Sequence, residues 1–178
     1  MIYILKKSII FISEIVSTIF IMILGVILHF TFDWSNSNIL VGTFSPINES
    51  VWEHLKLIFF PFLITTIIVY FFIGKNISNY LCSKVFGIVF AILFIVIFFY
   101  TYTGIIGTHF AFVDISSFFI AVILGQYVAY QKMQSKFYCN KIIAITTLLL
   151  LYLLFLIFTF LPPHINLFKD PITGMFGI

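Results

Sequence analysis

The stretch VFGIVFAILFIVIFFYTYTGIIG, residues 85–107, decides the fold class. It runs for 23 residues without a charged side chain, and about 20 apolar residues are enough for a helix to cross the hydrocarbon core of a bilayer. Its apolar residues are continuous and do not alternate with polar ones, as the strands of a transmembrane β-barrel require. The pattern therefore predicts a membrane-spanning α-helix.

Four similar runs occur elsewhere in the chain, and the fourth of the five is expected to be the shortest. Only 8 % of the residues are charged, against about 25 % in soluble domains, so too little polar surface exists for a water-soluble fold. We expect an all-α bundle forming a single transmembrane domain, residues 1–178. Its predicted spans are residues 8–30, 51–73, 85–107, 115–130 and 142–161.

Lysine positions predict how the bundle sits in the membrane, because cytoplasmic loops carry an excess of positive charge. If the spans alternate, one side of the membrane receives Lys6, Lys7, Lys75, Lys84, Lys132, Lys136 and Lys141. Only Lys56 and Lys169 fall on the other side. We therefore expect a cytoplasmic N-terminus and an external C-terminus. Heavy use of Phe, Ile, Asn and Lys indicates an AT-rich bacterial genome, hence a multi-pass protein of the bacterial plasma membrane.

Both cysteines, Cys82 and Cys139, fall on the lysine-rich side. Thiols in the cytoplasm stay reduced, so no disulfide is expected. The basic residues form no run interleaved with aromatic residues, which argues against nucleic-acid binding.

All four histidines fall on the opposite side, each near an acidic residue in sequence or at a helix end. Three histidines and a carboxylate suit zinc with one coordination position left for water. A zinc-bound water titrates near pH 7 and can attack an ester or amide. The candidate metal ligands are His29, His54, His109, His164, Asp114 and Asp170.

The segment before the second span carries the candidate catalytic residues. Ser45 and Pro46 resemble a helix N-cap and first helical residue, and a helix from residue 47 would place Glu49, Ser50, Glu53 and His54 on one face. Glu53 or Glu49 is the candidate general base. A metal-free alternative uses His54 to activate Ser50, and a purely structural one is a capping box from Ser50 to Glu53.

Three further expectations concern local structure at this side of the bundle. Pro61 would free the carbonyl of Leu57, so a kink there could open the bundle. Asp114 would cap the start of the fourth span. The tail, residues 162–178, mixes apolar and polar residues and is expected to fold over the outer face.

The segments FSPINESVWEHLK, residues 44–56, and PHINLFKDP, residues 163–171, resemble an uncharacterised family of small bacterial integral membrane proteins. That resemblance extends over the chain and implies no activity. The Ser50-x-x-x-His54 spacing is also similar to an element of the alkaline ceramidase and progestin-receptor-like membrane hydrolases, which implies a zinc-dependent hydrolase of lipid amides or esters. This chain lacks the H-x-x-x-H element and the seven spans of that superfamily.

Three functions remain open on the sequence. The first is a zinc-dependent hydrolase acting on a membrane lipid or lipid-linked substrate. The second is a non-catalytic accessory or immunity protein that binds a protein partner. The third is a proton or metal-ion transporter that uses Glu14, because an acidic residue within a span is a functional candidate.

Overall fold

A computed structural model describes the backbone of residues 2–177 and the side chains of residues 8–177. These residues contain no β-strand; Lys169 and Phe176 form an isolated antiparallel bridge. Single-turn 3-10 helices lie at Gly74–Asn76 and Asn166–Phe168. The helices are α1 (Ile2–Trp34), α2 (Ile39–Gly42), α3 (Val51–His54), α4 (Lys56–Phe72), α5 (Tyr80–Ile106), α6 (Ala111–Gln134) and α7 (Lys141–Phe160).

Five segments are long and apolar enough to span a membrane, which confirms the predicted number of spans. They are Ser8–Trp34, Val51–Phe72, Tyr80–Ile106, Ala111–Gln134 and Lys141–Phe160. Large apolar side chains cover their outer surfaces, for example Phe71 and Ile97, as lipid contact requires. The expectation that the fourth span is the shortest is wrong: α6 has 24 residues and α7 has 20. Polar residues after Tyr130 continue the α6 helix beyond the apolar run.

The alternating helices create two ends of the bundle, which we name by their residues. The histidine end holds the C-termini of α1, α5 and α7 together with the N-termini of α3 and α6. The lysine end holds the opposite termini and the exposed Lys75, Lys132, Lys136 and Lys141.

The sequence-based lysine count needs one correction. Lys84, predicted to lie between the second and third spans, lies in the first turns of α5 and is completely buried. Its Nζ donates to both carboxylate oxygens of Glu14 at 2.6 and 2.7 Å and to Oε1 of Gln126 at 2.9 Å. This triad joins α1, α5 and α6 inside the apolar bundle.

Pro61 lies within α4, and the helix runs through it. Since proline has no N–H, the carbonyl of Leu57 lacks its usual helical donor. That carbonyl faces Gly25 of α1 so closely that a Cβ at Gly25 would lie 2.8 Å from the oxygen. The carbonyl of Leu57 is thus packed against α1, and this close approach is possible because residue 25 is a glycine.

Glycines also bring α5 and α6 together. A Cβ at Gly87 would lie 2.5 Å from the carbonyl oxygen of Gly125, and one at Gly125 would lie 2.8 Å from that of Gly87. Small residues allow such close backbone contact between membrane helices. Ala91 and Ala129 continue the same contact.

A disulfide joins Cys82 to Cys139, so the expectation of two free thiols is wrong. The two residues are 57 positions apart in sequence, but their Cα atoms are 5.7 Å apart because the start of α5 lies beside the loop between α6 and α7. The expectation rested on the compartment assigned to the lysine end and not on spatial separation.

The C-terminal tail packs against the histidine end. Phe168 is buried between Trp52 and Phe158, at ring-centroid distances of 5.0 and 5.1 Å. The Asn48 side-chain amide donates to the carbonyl of Gly177 at 3.2 Å. These contacts hold the tail beside the loop that precedes α3.

Candidate metal centre

Three of the candidate residues meet at the histidine end. His29 lies near the end of α1, Glu49 in the loop before α3, and His54 at the end of α3. One potential ligand atom from each lies within 4.8 Å of the other two. Among the described residues, this is the one group of three or more histidine, cysteine and acidic side chains with metal-ligand spacing.

The loop that presents Glu49 is anchored differently from the sequence prediction. Ser45 does not cap a helix at residue 47. Its hydroxyl donates to the carbonyl of Leu28 at 2.6 Å and accepts from the hydroxyl of Thr31 at 2.9 Å. The N-cap is Ser50, whose side chain accepts from the backbone N–H of Glu53 at 3.3 Å. Glu49 is therefore a loop residue held next to α1.

The hydrogen bonds of His54 define the chemistry of its ring. Nδ1 lies 3.0 Å from the carbonyl oxygen of Ser50, so Nδ1 carries the proton in that contact. Nε2 lies 3.3 Å from Oε2 of Glu49. A neutral ring protonated at Nδ1 would direct the Nε2 lone pair towards the Glu49 carboxylate, which is unfavourable because both groups are electron-rich. Either a second proton on Nε2 or a metal ion between Nε2 and the carboxylate removes this conflict. A histidine ligand oriented through its other nitrogen is typical of metal sites.

His29 completes the group from α1. Its ring centroid is 5.2 Å from that of His54, and its buried Nδ1 has no hydrogen-bond partner in the described structure. A buried polar atom without a partner is costly. A cation bound by the group would remove the lone-pair conflict at His54, and a cation bound through Nδ1 of His29 would remove that cost as well.

One distance within the group matches the separation expected for two ligands of a tetrahedral zinc ion. With metal–ligand distances of about 2.1 Å, two ligands of one tetrahedral ion are about 3.4 Å apart. The His54 to Glu49 distance of 3.3 Å lies close to that value. In the metal-free site, the hydrogen bond from His54 holds the pKa of Glu49 below its usual value, and the positive charges that His54 and His29 carry when protonated act in the same direction. Glu49 is therefore ionised at neutral pH, the form in which a carboxylate can bind a metal ion.

The other two candidate catalytic residues lie in a separate network. Glu53 is buried; its carboxylate accepts from Lys56 Nζ at 2.6 Å, the backbone N–H of Ile47 at 3.1 Å and the Thr159 hydroxyl at 3.3 Å. Lys56 in turn donates to the carbonyl of Gly42 at 2.7 Å. Ser50 caps α3, and His54 contacts the Ser50 carbonyl and not its hydroxyl. Both residues thus organise the loop around the group.

His109 and Asp114 form a second pair at the histidine end, 3.1 Å apart. Asp114 also accepts a short hydrogen bond from the hydroxyl of Tyr102, a contact that the sequence did not indicate. The cap of α6 is Phe110, so the expectation that Asp114 caps this helix is wrong; Asp114 lies in its first turn. The pair does not join the group of three.

The remaining two candidate ligands belong to the tail. His164 is exposed and packs on Phe176, with 4.7 Å between ring centroids. Asp170 accepts from the backbone N–H of Ile172 at 2.9 Å and the hydroxyl of Thr173 at 2.7 Å. Asp170 therefore stabilises a turn of the tail.

These observations define a multi-pass helical membrane protein with a cluster of two histidines and a glutamate at one end of its bundle. The chain belongs to the Family of unknown function (DUF6512), whose sequence profile matches residues 5–178. No curated protein and no solved structure matches the chain. The similarity to alkaline ceramidases has no support from these comparisons.

Proposed function

We propose that this protein is a membrane-embedded, zinc-dependent hydrolase of the bacterial plasma membrane. His29, Glu49 and His54 would bind the metal, and the substrate would be a lipid or lipid-linked ester or amide. The observation that carries the proposal is the approach of one ligand atom from each residue to within 4.8 Å of the others. Two histidines and one glutamate form a ligand set of catalytic zinc sites, in which the fourth position holds water.

The general base requires a carboxylate that is not already paired. Glu53 is buried against Lys56, and Glu49 serves as a ligand in this proposal. Asp33 lies one helical turn beyond His29 and is exposed, so we assign it the role of accepting the proton from the attacking water.

The surroundings favour a substrate that arrives from the lipid. Phe30 and Trp34 stack on each other beside His29 and are 43 % and 70 % exposed, so an apolar surface adjoins the group. Exposed lysines lie mainly at the opposite end, which supports placing the histidine end at the outer leaflet. The disulfide at the lysine end weighs against that orientation, because disulfides are rare in the cytosol.

Ion transport through Glu14 receives less support. Both of its carboxylate oxygens accept from Lys84, and apolar core residues such as Ile21 and Leu28 separate it from the histidine end. The alternative of an accessory protein, which binds a partner or a metal without catalysis, differs from the proposed hydrolase in that it would turn over no substrate.

Metal analysis of the detergent-purified protein tests the site. We expect about one zinc ion per chain in the wild type, and loss of it in His29→Ala and His54→Ala. His164→Ala is the matched control, because the structure places this histidine on Phe176 and outside the group. Absence of stoichiometric metal, or equal loss in the control, would overturn the metal site.

Hydrolysis is measured separately with fluorogenic lipid esters and amides in detergent. Activity that is removed by a chelator, restored by zinc and lost in Asp33→Asn with zinc retained would support the complete proposal. Zinc binding without turnover of these lipids would leave a metal-binding protein and reject the hydrolase.

A further inference from the structure

A cleft of about 700 Å³ opens at the lysine end, away from the candidate metal centre. Its walls are the loop after α4, residues 76–79, and the end of α6 with the following loop, residues 133–137; Ile10 of α1 contributes from the side. Ligand pockets typically have volumes of about 300–1,000 Å³. The cleft is therefore large enough for a small molecule or for the headgroup of a lipid.

The walls of the cleft are held together in the folded protein. Asn79 is buried, and its side-chain amide donates to the carbonyls of Lys132 and Ser135, both at 2.9 Å. The Cys82–Cys139 disulfide ties the same two regions just beyond. The Asn79 hydrogen bonds also occupy carbonyl oxygens at the end of α6, which reduces the negative character that this helix end would otherwise present.

The charge around the cleft is positive. Lys136 lines it, and Lys75 and Lys132 directly precede its wall residues Asn76 and Met133 in the sequence. The Lys132 Nζ lies 6.0 Å from the ring centroid of the wall residue Phe137. Neither loop contains an acidic residue. In the described part of the chain, the lysines in salt bridges are Lys56 and Lys84, so these three lysines have no carboxylate partner.

The lining is amphipathic, as a lipid headgroup and its attached acyl chains require. Ile10, Ile77 and Met133 form apolar portions, whereas Ser78 and Lys136 contribute polar groups. Tyr138, directly after the cleft segment, is 89 % exposed. Tyrosines are enriched at the membrane–water interfaces, so an exposed tyrosine in the loop beside the cleft supports placing the cleft at headgroup level.

We propose that this cleft binds the phosphate headgroup of an anionic phospholipid, with Lys136 as the principal charged contact. Basic pockets between membrane helices are recognised sites for such headgroups. The proposal is independent of the metal centre and holds for either orientation of the bundle, because both leaflets contain phosphate groups.

Native mass spectrometry of the detergent-purified protein tests the site with dioleoyl phosphatidylglycerol as probe and dioleoyl phosphatidylcholine as the neutral comparison. We expect phosphatidylglycerol to bind preferentially, and Lys136→Gln to weaken its binding about fivefold, the effect of roughly one lysine near a lipid surface. Lys136→Arg should retain binding. Lys141→Gln is the matched control, since Lys141 is exposed at the same end but does not line the cleft.

The outcomes separate the alternatives. Equal binding of the two lipids, or equal loss in the Lys136 and Lys141 variants, would overturn the proposal. Competition by inorganic phosphate at concentrations matching those of the lipid would show a soluble phosphate site and reject the lipid as occupant. Should Lys136→Gln lower the melting temperature, Ser78→Trp, which fills the cleft from an exposed position, provides a second test with the same expected loss.

Discussion

Removal of Lys84 is the sharpest test of how the bundle is held together. Lys84 is completely buried, and its Nζ contacts both oxygens of Glu14 and the side-chain oxygen of Gln126. Lys84→Met keeps a side chain of similar length but leaves the Glu14 carboxylate inside the bundle without its donor.

The expected magnitude follows from the desolvation of the remaining charge. Removing one partner of a buried ion pair costs about 3–5 kcal/mol, whereas replacing both partners by apolar residues is neutral or stabilising. Lys84→Met and Glu14→Met should each lower the free energy of unfolding by about 3–5 kcal/mol. The double variant should lie within about 1 kcal/mol of the wild type or above it. The coupling energy would then be about 5 kcal/mol or more, above the upper range of about 3 kcal/mol for contacting residues.

Unfolding by SDS in mixed micelles provides the assay. Trp52 packs 4.8 Å from Phe155 in the core and reports the loss of tertiary structure by fluorescence. Lys141→Met, at an exposed position, is the matched control and should change stability by less than about 0.5 kcal/mol. The described pair would be rejected if the double variant lost as much unfolding free energy as the two single variants together.

Three further predictions address other parts of the molecule. Gly25→Ala should destabilise the protein by about 1–3 kcal/mol, because its Cβ would meet the Leu57 carbonyl oxygen at 2.8 Å; Gly104→Ala, with nothing within 4 Å, should be neutral or stabilising in the same SDS titration. Cys82 and Cys139 should resist maleimide labelling until a reductant is added, and Cys82→Ser should cost about 2–4 kcal/mol; labelling of the wild type without reductant would reject the disulfide. Because the folded pKa of Glu49 lies below the ordinary value of 4.5, its ionised form stabilises the fold above that pH, and the contribution disappears as the pH falls through the lower folded value. The stability difference between the wild type and Glu49→Gln in the metal-free protein should therefore shrink as the pH falls below 4.5; a difference that grows on acidification below pH 4.5 would contradict this assignment.

Much of the fold was predictable because lipid imposes a simple rule on sequence. A chain segment in the bilayer must satisfy its backbone internally and expose apolar side chains, so long uncharged runs reveal the spans directly. The wrong predictions concern helix ends and loops, to which this rule does not apply. The C-terminal end of α6 extends beyond the apolar run into polar sequence, and Ser45 bonds to α1 instead of capping a helix.

The sequence predicted that histidines and acidic residues form the candidate site, but it did not predict which of them lie together. Charge and histidine distribution pointed to the end of the bundle that holds His29, Glu49 and His54 together with His109, His164, Asp114 and Asp170. Whether these converge depends on loop paths and helix rotations that leave no local signal. The sequence did indicate that Glu14 has a partner, since an acidic residue inside a span needs a compensating group. Lys84, which directly precedes the predicted third span, was a candidate for that partner.

The sequence by itself determined five apolar helices and the separation of most lysines from the histidines, because hydrophobic length and charge are properties of single segments. Tertiary structure alone decided that His29, Glu49 and His54 meet while the other candidates lie apart. It likewise decided that Lys84 belongs to Glu14 and that Cys82 bonds to Cys139. Each of these contacts joins residues from different helices or loops, and the packing of apolar helices against each other sets their distance.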